Sequence, residues 1–182
     1  EHVLSLHAPD NIAFFSGPPG QTESETRKRI FLGALKKAGK PMVEVPIYTG
    51  DFTYESGREW ARKALADGRM QQLRGVVCAN DSMALGILDA VTDAGLRVPQ
   101  DLFLTGFDDT EEGAVAVSPL TSVRQPTPEH LASEAVTLAL ERAEGGNRTD
   151  MLLPSSLIIR QSCGTSPVAA VCRDDFPGGL EE

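Results

Sequence analysis

Residues 76–109 read VVCANDSMALGILDAVTDAGLRVPQDLFLTGFDD, and this stretch decides the fold. It opens on the apolar run Val76-Val77-Cys78-Ala79 and breaks at Asn80-Asp81. Met83, Ala84, Ile87, Leu88 and Val91 then recur at helical spacing. Gly95 and Pro99 follow as a helix stop. A second apolar run, Leu102-Phe103-Leu104-Thr105, ends in Gly106-Phe107-Asp108-Asp109. Strand, helix and strand in this length make a βαβ unit. Ligands of open α/β sheets sit outside the carboxyl ends of the strands, which is where the spacing predicts Asn80 and Asp108.

The same alternation continues outward. Residues 12–15 form an apolar run, Ser16-Gly17-Pro18-Pro19-Gly20 a turn, and Thr22 with Glu25 a candidate capping box for a helix ending near Gly39. A second strand is expected over 42–47 and a second helix over 54–66, closed by Gly68. After Asp109 the pattern loosens. Residues 111–118 read as irregular or a short helix, 120–125 as an extended piece stopped by Pro126, and 128–144 as a helix with Leu131, Ala135, Leu138 and Ala139 on one face. A last strand spans 152–160, interrupted by Pro154. Strands alternating with helices imply a parallel sheet covered on both faces.

Composition narrows the function. A net charge of −9 argues against bulk attraction to nucleic acid, and no basic run is visible. The three cysteines, Cys78, Cys163 and Cys172, have no paired spacing, which fits a reducing compartment; Cys78 reads as a small core residue. His2, His7 and His130 are scattered and give no metal site, and no cofactor motif is present. No apolar run reaches membrane-spanning length and no signal peptide is seen. Gly17-Pro18-Pro19-Gly20 lacks the Gly-Lys-Ser/Thr ending of a phosphate loop. Asp108 and Asp109 are adjacent, so they tend to face opposite sides rather than each other across a scissile bond. No Ser-His-Asp or Cys-His constellation appears, and a small α/β enzyme is the minor reading.

CANDSMALG, AGLRVPQDLFLTGFDD, SPLTSVRQP and LPSSLIIRQSCG, in this order and spacing, resemble the effector-binding domain of lactose/galactose-repressor-type regulators, itself similar to periplasmic sugar-binding proteins. The resemblance covers roughly residues 11–164. It implies the C-terminal lobe of that domain: an open parallel sheet in a flavodoxin-like, three-layer arrangement. Residues 1–10 are then a lead-in, 120–126 a crossing segment, 127–145 a helix that packs on the other lobe in the family, and 165–182 a tail or linker. The first lobe and the DNA-binding headpiece are expected to be missing from the chain, which reads as a fragment of a longer protein. The Arg27 position clamps the effector in the family, and a guanidinium fork suits vicinal hydroxyls. Phe52, or Tyr54 in its place, would stack on the apolar face of a sugar. Asn80 would read hydroxyls, leaving Asp81 or Ser82 to cap the helix; alternatively Asn80 is itself the cap. Asp108 would accept paired hydroxyl bonds or serve only as a turn residue, and Gln125 would touch ligand or satisfy the hinge backbone. The resemblance implies a sugar-like effector, a cytoplasmic homodimer, and DNA contact only through the absent headpiece. The competing outputs are a sensor module fused to a kinase or diguanylate cyclase, or a sugar-binding protein.

Overall fold

The computed structural model describes residues 1–40, 45–147 and 150–165. Four parallel strands form the main sheet: β1 (Ile12–Ser16), β2 (Ile47–Thr49), β3 (Gly75–Cys78) and β4 (Phe103–Thr105), in the order β2-β1-β3-β4. This is the flavodoxin-like order that the resemblance implies. The intervening helices are α2 (Thr22–Lys37), α3 (Tyr54–Ala66) and α4 (Asp81–Asp93). Neighbouring residues of β1 show how both faces are covered. Phe14 stacks on Phe31 of α2, and Phe15 packs against Trp60 of α3, each with ring centroids 5.0 Å apart. Alternation along the strand sends successive side chains to opposite layers.

On the second of these faces α3 and α4 lie unusually close, because each offers a glycine to the other's backbone. A Cβ on Gly57 would stand 2.2 Å from the Met83 carbonyl oxygen, and one on Gly86 would stand 2.0 Å from that of Tyr54. Met83, Ala84, Ile87, Leu88 and Val91, the helical stripe read from the sequence, are all buried.

Residues 1–10 depart from the expected featureless lead-in. They contain α1 (His2–Leu6), and His7 stacks on Phe103 at 4.3 Å. His7 Nε2 also lies 2.8 Å from the Cys163 carbonyl oxygen, so the lead-in docks against the 3-10 turn Gln161–Cys163. Of the expected second strand, residues 42–44 lie outside the described residues, and β2 begins at Ile47. Of the expected tail over 165–182, residues 166–182, with Cys172, also lie outside them.

Beyond β4 come α5 (Glu111–Val115), β5 (Ser122–Arg124), α6 (Pro128–Ala143) and β6 (Ser156–Ile158). The last strand is shorter than the 152–160 expected, and pairs with β5 in an antiparallel ribbon. Thr121 bridges to Thr105 in parallel, so the crossing segment starts as a fifth track beside β4. The expected apolar face of α6 is largely uncovered: the helix has no buried residue, Leu131, Ala135 and Ala139 are exposed and Leu138 is partly covered, while Val136 and Leu140, outside that face, are each 59% exposed. Among the described residues no helix is long and apolar enough to cross a membrane.

Candidate functional site

The four parallel strands all release their chains at the same edge of the sheet. There an open hollow of about 220 Å3 is lined by Gln21, Glu23, Arg27, Phe52, Asn80 and Asp108. Four of the five residues expected from sequence therefore converge, and the fifth, Gln125, donates from Nε2 to Asp108 Oδ1 at 3.0 Å.

Arg27 enters from the second turn of α2. The helix start is fixed by a buried hydroxyl pair, Ser16 Oγ and Ser24 Oγ, 2.8 Å apart across the β1–α2 turn. The capping box expected at Thr22 and Glu25 does not form. Gln21 takes the extended N-cap backbone, so Thr22 is already helical and its hydroxyl lies one position too late. Arg27 Nη1 donates to the Ala79 carbonyl at 2.6 Å, its guanidinium lies 3.8 Å above the Phe107 ring, and Nη2 is 4.0 Å from Asp108 Oδ1. The arginine is thus held by two loops, the one after β3 and the one after β4. Burial pulls its pKa down, against the favourable charges of Asp108 and Glu23.

Phe52 has a left-handed backbone, φ 70°, and its ring lies against Gly17, just beyond β1. A Cβ on Gly17 would meet that ring at 2.1 Å, so only glycine leaves room for the platform. Tyr54 does not compete for this role: its hydroxyl donates to Asp89 at 2.6 Å, along the α3–α4 seam.

Asn80 is both a lining residue and the cap. Its Oδ1 accepts from Met83 N–H at 3.0 Å, and its Nδ2 donates to the Phe52 carbonyl at 2.9 Å. The expectation that Asp81 or Ser82 would cap is corrected. Asp81 is the first helical residue, fully buried, and turns toward the crossing segment instead. It accepts from Ser122 Oγ at 2.7 Å and from Thr110 N–H at 2.8 Å. Burial raises its pKa against those two bonds.

Asp108 does not end β4; it lies three residues beyond, at φ 111°. Its position is set by the crossing segment: Gly106 N–H donates to Thr121 O and Asp108 N–H to Val123 O, both at 2.9 Å. Burial raises the Asp108 pKa, with Arg27 and Gln125 acting in the opposite direction. Asp109 faces away from the hollow, toward Arg124 and Arg160, although the two aspartates lie past the strand end and do not alternate as strand residues. Sequence reasoning missed Gln21 and Glu23. Glu23 stands one helical turn before Arg27, and that spacing alone places the two on one face of α2. Among the described residues no group of three or more His, Cys, Asp or Glu side chains is placed to hold a metal ion.

The periplasmic binding protein-like domain family matches residues 1–163. The chain belongs to this family. Within it, the chain is an effector-binding domain of the LacI/GalR type. It is 34% identical over 171 residues to the HTH-type transcriptional regulator DegA of Bacillus subtilis, covering 92% of this chain and 48% of that protein. It is 32% identical over 158 residues to the HTH-type transcriptional repressor PurR of Pasteurella multocida, covering 86% of this chain and 46% of that protein. The structure superposes on a lac repressor dimer bound to operator and the anti-inducer ONPF with a TM-score of 0.78 at 29% identity, over 88% of this chain and 55% of that one. For a complex of the regulator CelR with cellobiose the TM-score is 0.74 at 30% identity, over 88% and 49%. The chain spans about half the length of the curated relatives it matches. Those relatives are transcriptional regulators, not enzymes. In this LacI/GalR-type domain, Arg27 of α2 comes together with Phe52 and Asp108 of two separate loops at the sheet edge.

Proposed function

We propose that this domain senses a hydroxyl-rich small molecule, a sugar or sugar derivative, held in the hollow at the sheet edge. Binding would control a DNA reader that belongs to the regulator outside this chain. The observation that carries the reading is the convergence of Arg27, Phe52, Asn80 and Asp108 on one opening. Phe52, Asp108 and Arg27 each meet a different part of what a pyranose or furanose offers, and Asn80 holds the Phe52 loop in place. The Phe52 ring covers the C–H face. The Asp108 carboxylate accepts from neighbouring hydroxyls, and the remaining Arg27 N–H groups donate to them.

The same geometry suggests how occupancy is transmitted. Asp108 already holds Gln125, the residue that leads from β5 toward α6. A ligand hydroxyl on Asp108 competes with or reinforces that bond, and so has a different affinity for each position of the crossing segment. Differential affinity of that kind is what shifts a two-state equilibrium. A second lobe closing over the hollow, a homodimeric assembly and a cytoplasmic setting go with this reading; the regulators bound to operator or to cellobiose support it by likeness.

Protein-observed NMR with a panel of pentoses, hexoses and disaccharides tests it. Amide shifts should cluster at 50–53, Asn80 and 107–109. A panel that leaves these amides unmoved, or that moves only α1 and α6, overturns the assignment.

A further inference from the structure

We propose that Glu23 is a charge filter of this hollow, so that the site admits neutral polyols and amine-bearing sugars and rejects phosphorylated or carboxylated ones. The inference rests on the reading of the hollow as the effector site and adds the charge class of the effector.

The ionisable residues lining the hollow are two carboxylates, Glu23 and Asp108, and one guanidinium, Arg27. The guanidinium is the group an anionic ligand would seek, and much of it is already engaged. One of its nitrogens donates to the Ala79 carbonyl, another lies 4.0 Å from Asp108, and its face rests on Phe107. Glu23 also acts on it electrostatically from one turn away on α2. A phosphate arriving at Arg27 therefore meets a cation with its own counter-charges, flanked by two acids. The uncapped start of α2 offers no rescue, because Glu23 sits in its first turn and counters the positive helix end. An ammonium group on a sugar, in contrast, finds solvent-accessible carboxylates at Glu23 and Asp108, while hydroxyls find donor and acceptor together.

The test uses matched sugars: a neutral hexose or pentose, its phosphate ester and its 2-amino derivative, titrated into the 182-residue chain with amide shifts as the readout. The neutral and amino forms should bind at the hollow and the phosphate ester should bind more weakly than its parent. Glu23→Gln should then weaken the amino sugar by about two- to five-fold relative to the neutral sugar, the range of an exposed ion pair, and narrow the gap to the phosphate ester. Glu25→Gln removes the same charge from the same helix start but touches Lys28 rather than the hollow, and should leave the ratios unchanged. A phosphate ester that binds as well as its neutral parent, or ratios that respond equally to both substitutions, overturns the charge filter while the effector site stands. Absence of any sugar from the hollow overturns both.

Discussion

Asp108 and Asp109 are sequence neighbours whose carboxylates serve opposite sides of one loop. Asp108 faces the hollow, 4.0 Å from Arg27, while Asp109 is turned inward between Arg124 at 2.5 Å and Arg160 at 2.6 Å. Both lie in the left-handed region, φ 111° and 56°, and this is what lets two consecutive side chains diverge so far. The loop joins the hollow at the sheet edge to β5 and to the segment just beyond β6.

Asp108→Asn should keep the fold, since asparagine tolerates a positive φ, and weaken neutral-sugar binding by about 1.5–3 kcal/mol, the worth of a hydrogen bond to a charged group. Because burial raises the Asp108 pKa, binding through the ionised form should fall away on acidification earlier than an ordinary carboxylate would dictate. Affinity measured against pH reads both effects; a flat profile in the parent chain contradicts the role.

Asp109→Asn acts on stability instead. The Asp109 side chain is 3% exposed, and its loss of charge leaves Arg160, itself 18% exposed, facing Arg124 without a counter-ion. Arg124 is half in solvent, which limits the damage. A cost of about 1–3 kcal/mol in urea unfolding is expected. An unshifted midpoint would show that the pair contributes nothing.

The Asp81 carboxyl has a folded pKa raised above its unfolded value by burial. Between those two values the folded chain holds a proton that the unfolded chain has lost. Asp81 therefore favours the fold most on the acid side, and this contribution is lost as pH rises through the raised value. Asp81→Asn should flatten that part of the stability profile, measured by unfolding from about pH 4 to about pH 7. An unchanged slope would assign the profile to other groups.

Gly57→Ala and Gly86→Ala should each destabilise, although alanine is the better helix former. The new methyl would stand about 2 Å from a carbonyl oxygen of the facing helix, and relief requires α3 and α4 to separate. Overpacking of this kind costs about 1–3 kcal/mol or more, exceeding the ~1 kcal/mol that alanine gains in propensity. Thermal melts decide it, with a higher Tm in either variant counting against the close approach.

The large apolar side chains that α6 exposes on more than one side, Leu131, Val136 and Leu140, should drive self-association of the isolated chain. Sedimentation at increasing concentration should show mass rising above 19.5 kDa, and Leu131→Lys with Val136→Lys should return it to monomer. A parent chain that stays monomeric throughout refutes this.

Much of the architecture could be read because period and punctuation agreed. The 83–91 stripe, Gly39, Gly68 and Gly95 each sit where local chemistry alone demands them, and all three glycines have positive φ. Parallel topology, which brings residues after separate strands to one edge, made Asn80 and Asp108 legible, whereas Arg27 and Phe52 were legible through the family resemblance. What could not be read was set by contacts distant in sequence. Asn80 caps its own helix because Phe52, 28 residues away, offers a carbonyl to its amide. Asp81 is buried because Ser122, 41 residues away, reaches it. α1 looked structureless because the ring that holds His7 belongs to β4.

The two bonds of Asn80 have a mechanical consequence. One amide group ties the Phe52 carbonyl to the Met83 N–H, so the aromatic platform and the first turn of α4 share a single fastener. Moving the Phe52 loop outward strips one end of that fastener and loosens the other. The loop over the hollow and the start of α4 should therefore move together, and a molecule that clamps Phe52 in place should also steady the first turn of that helix.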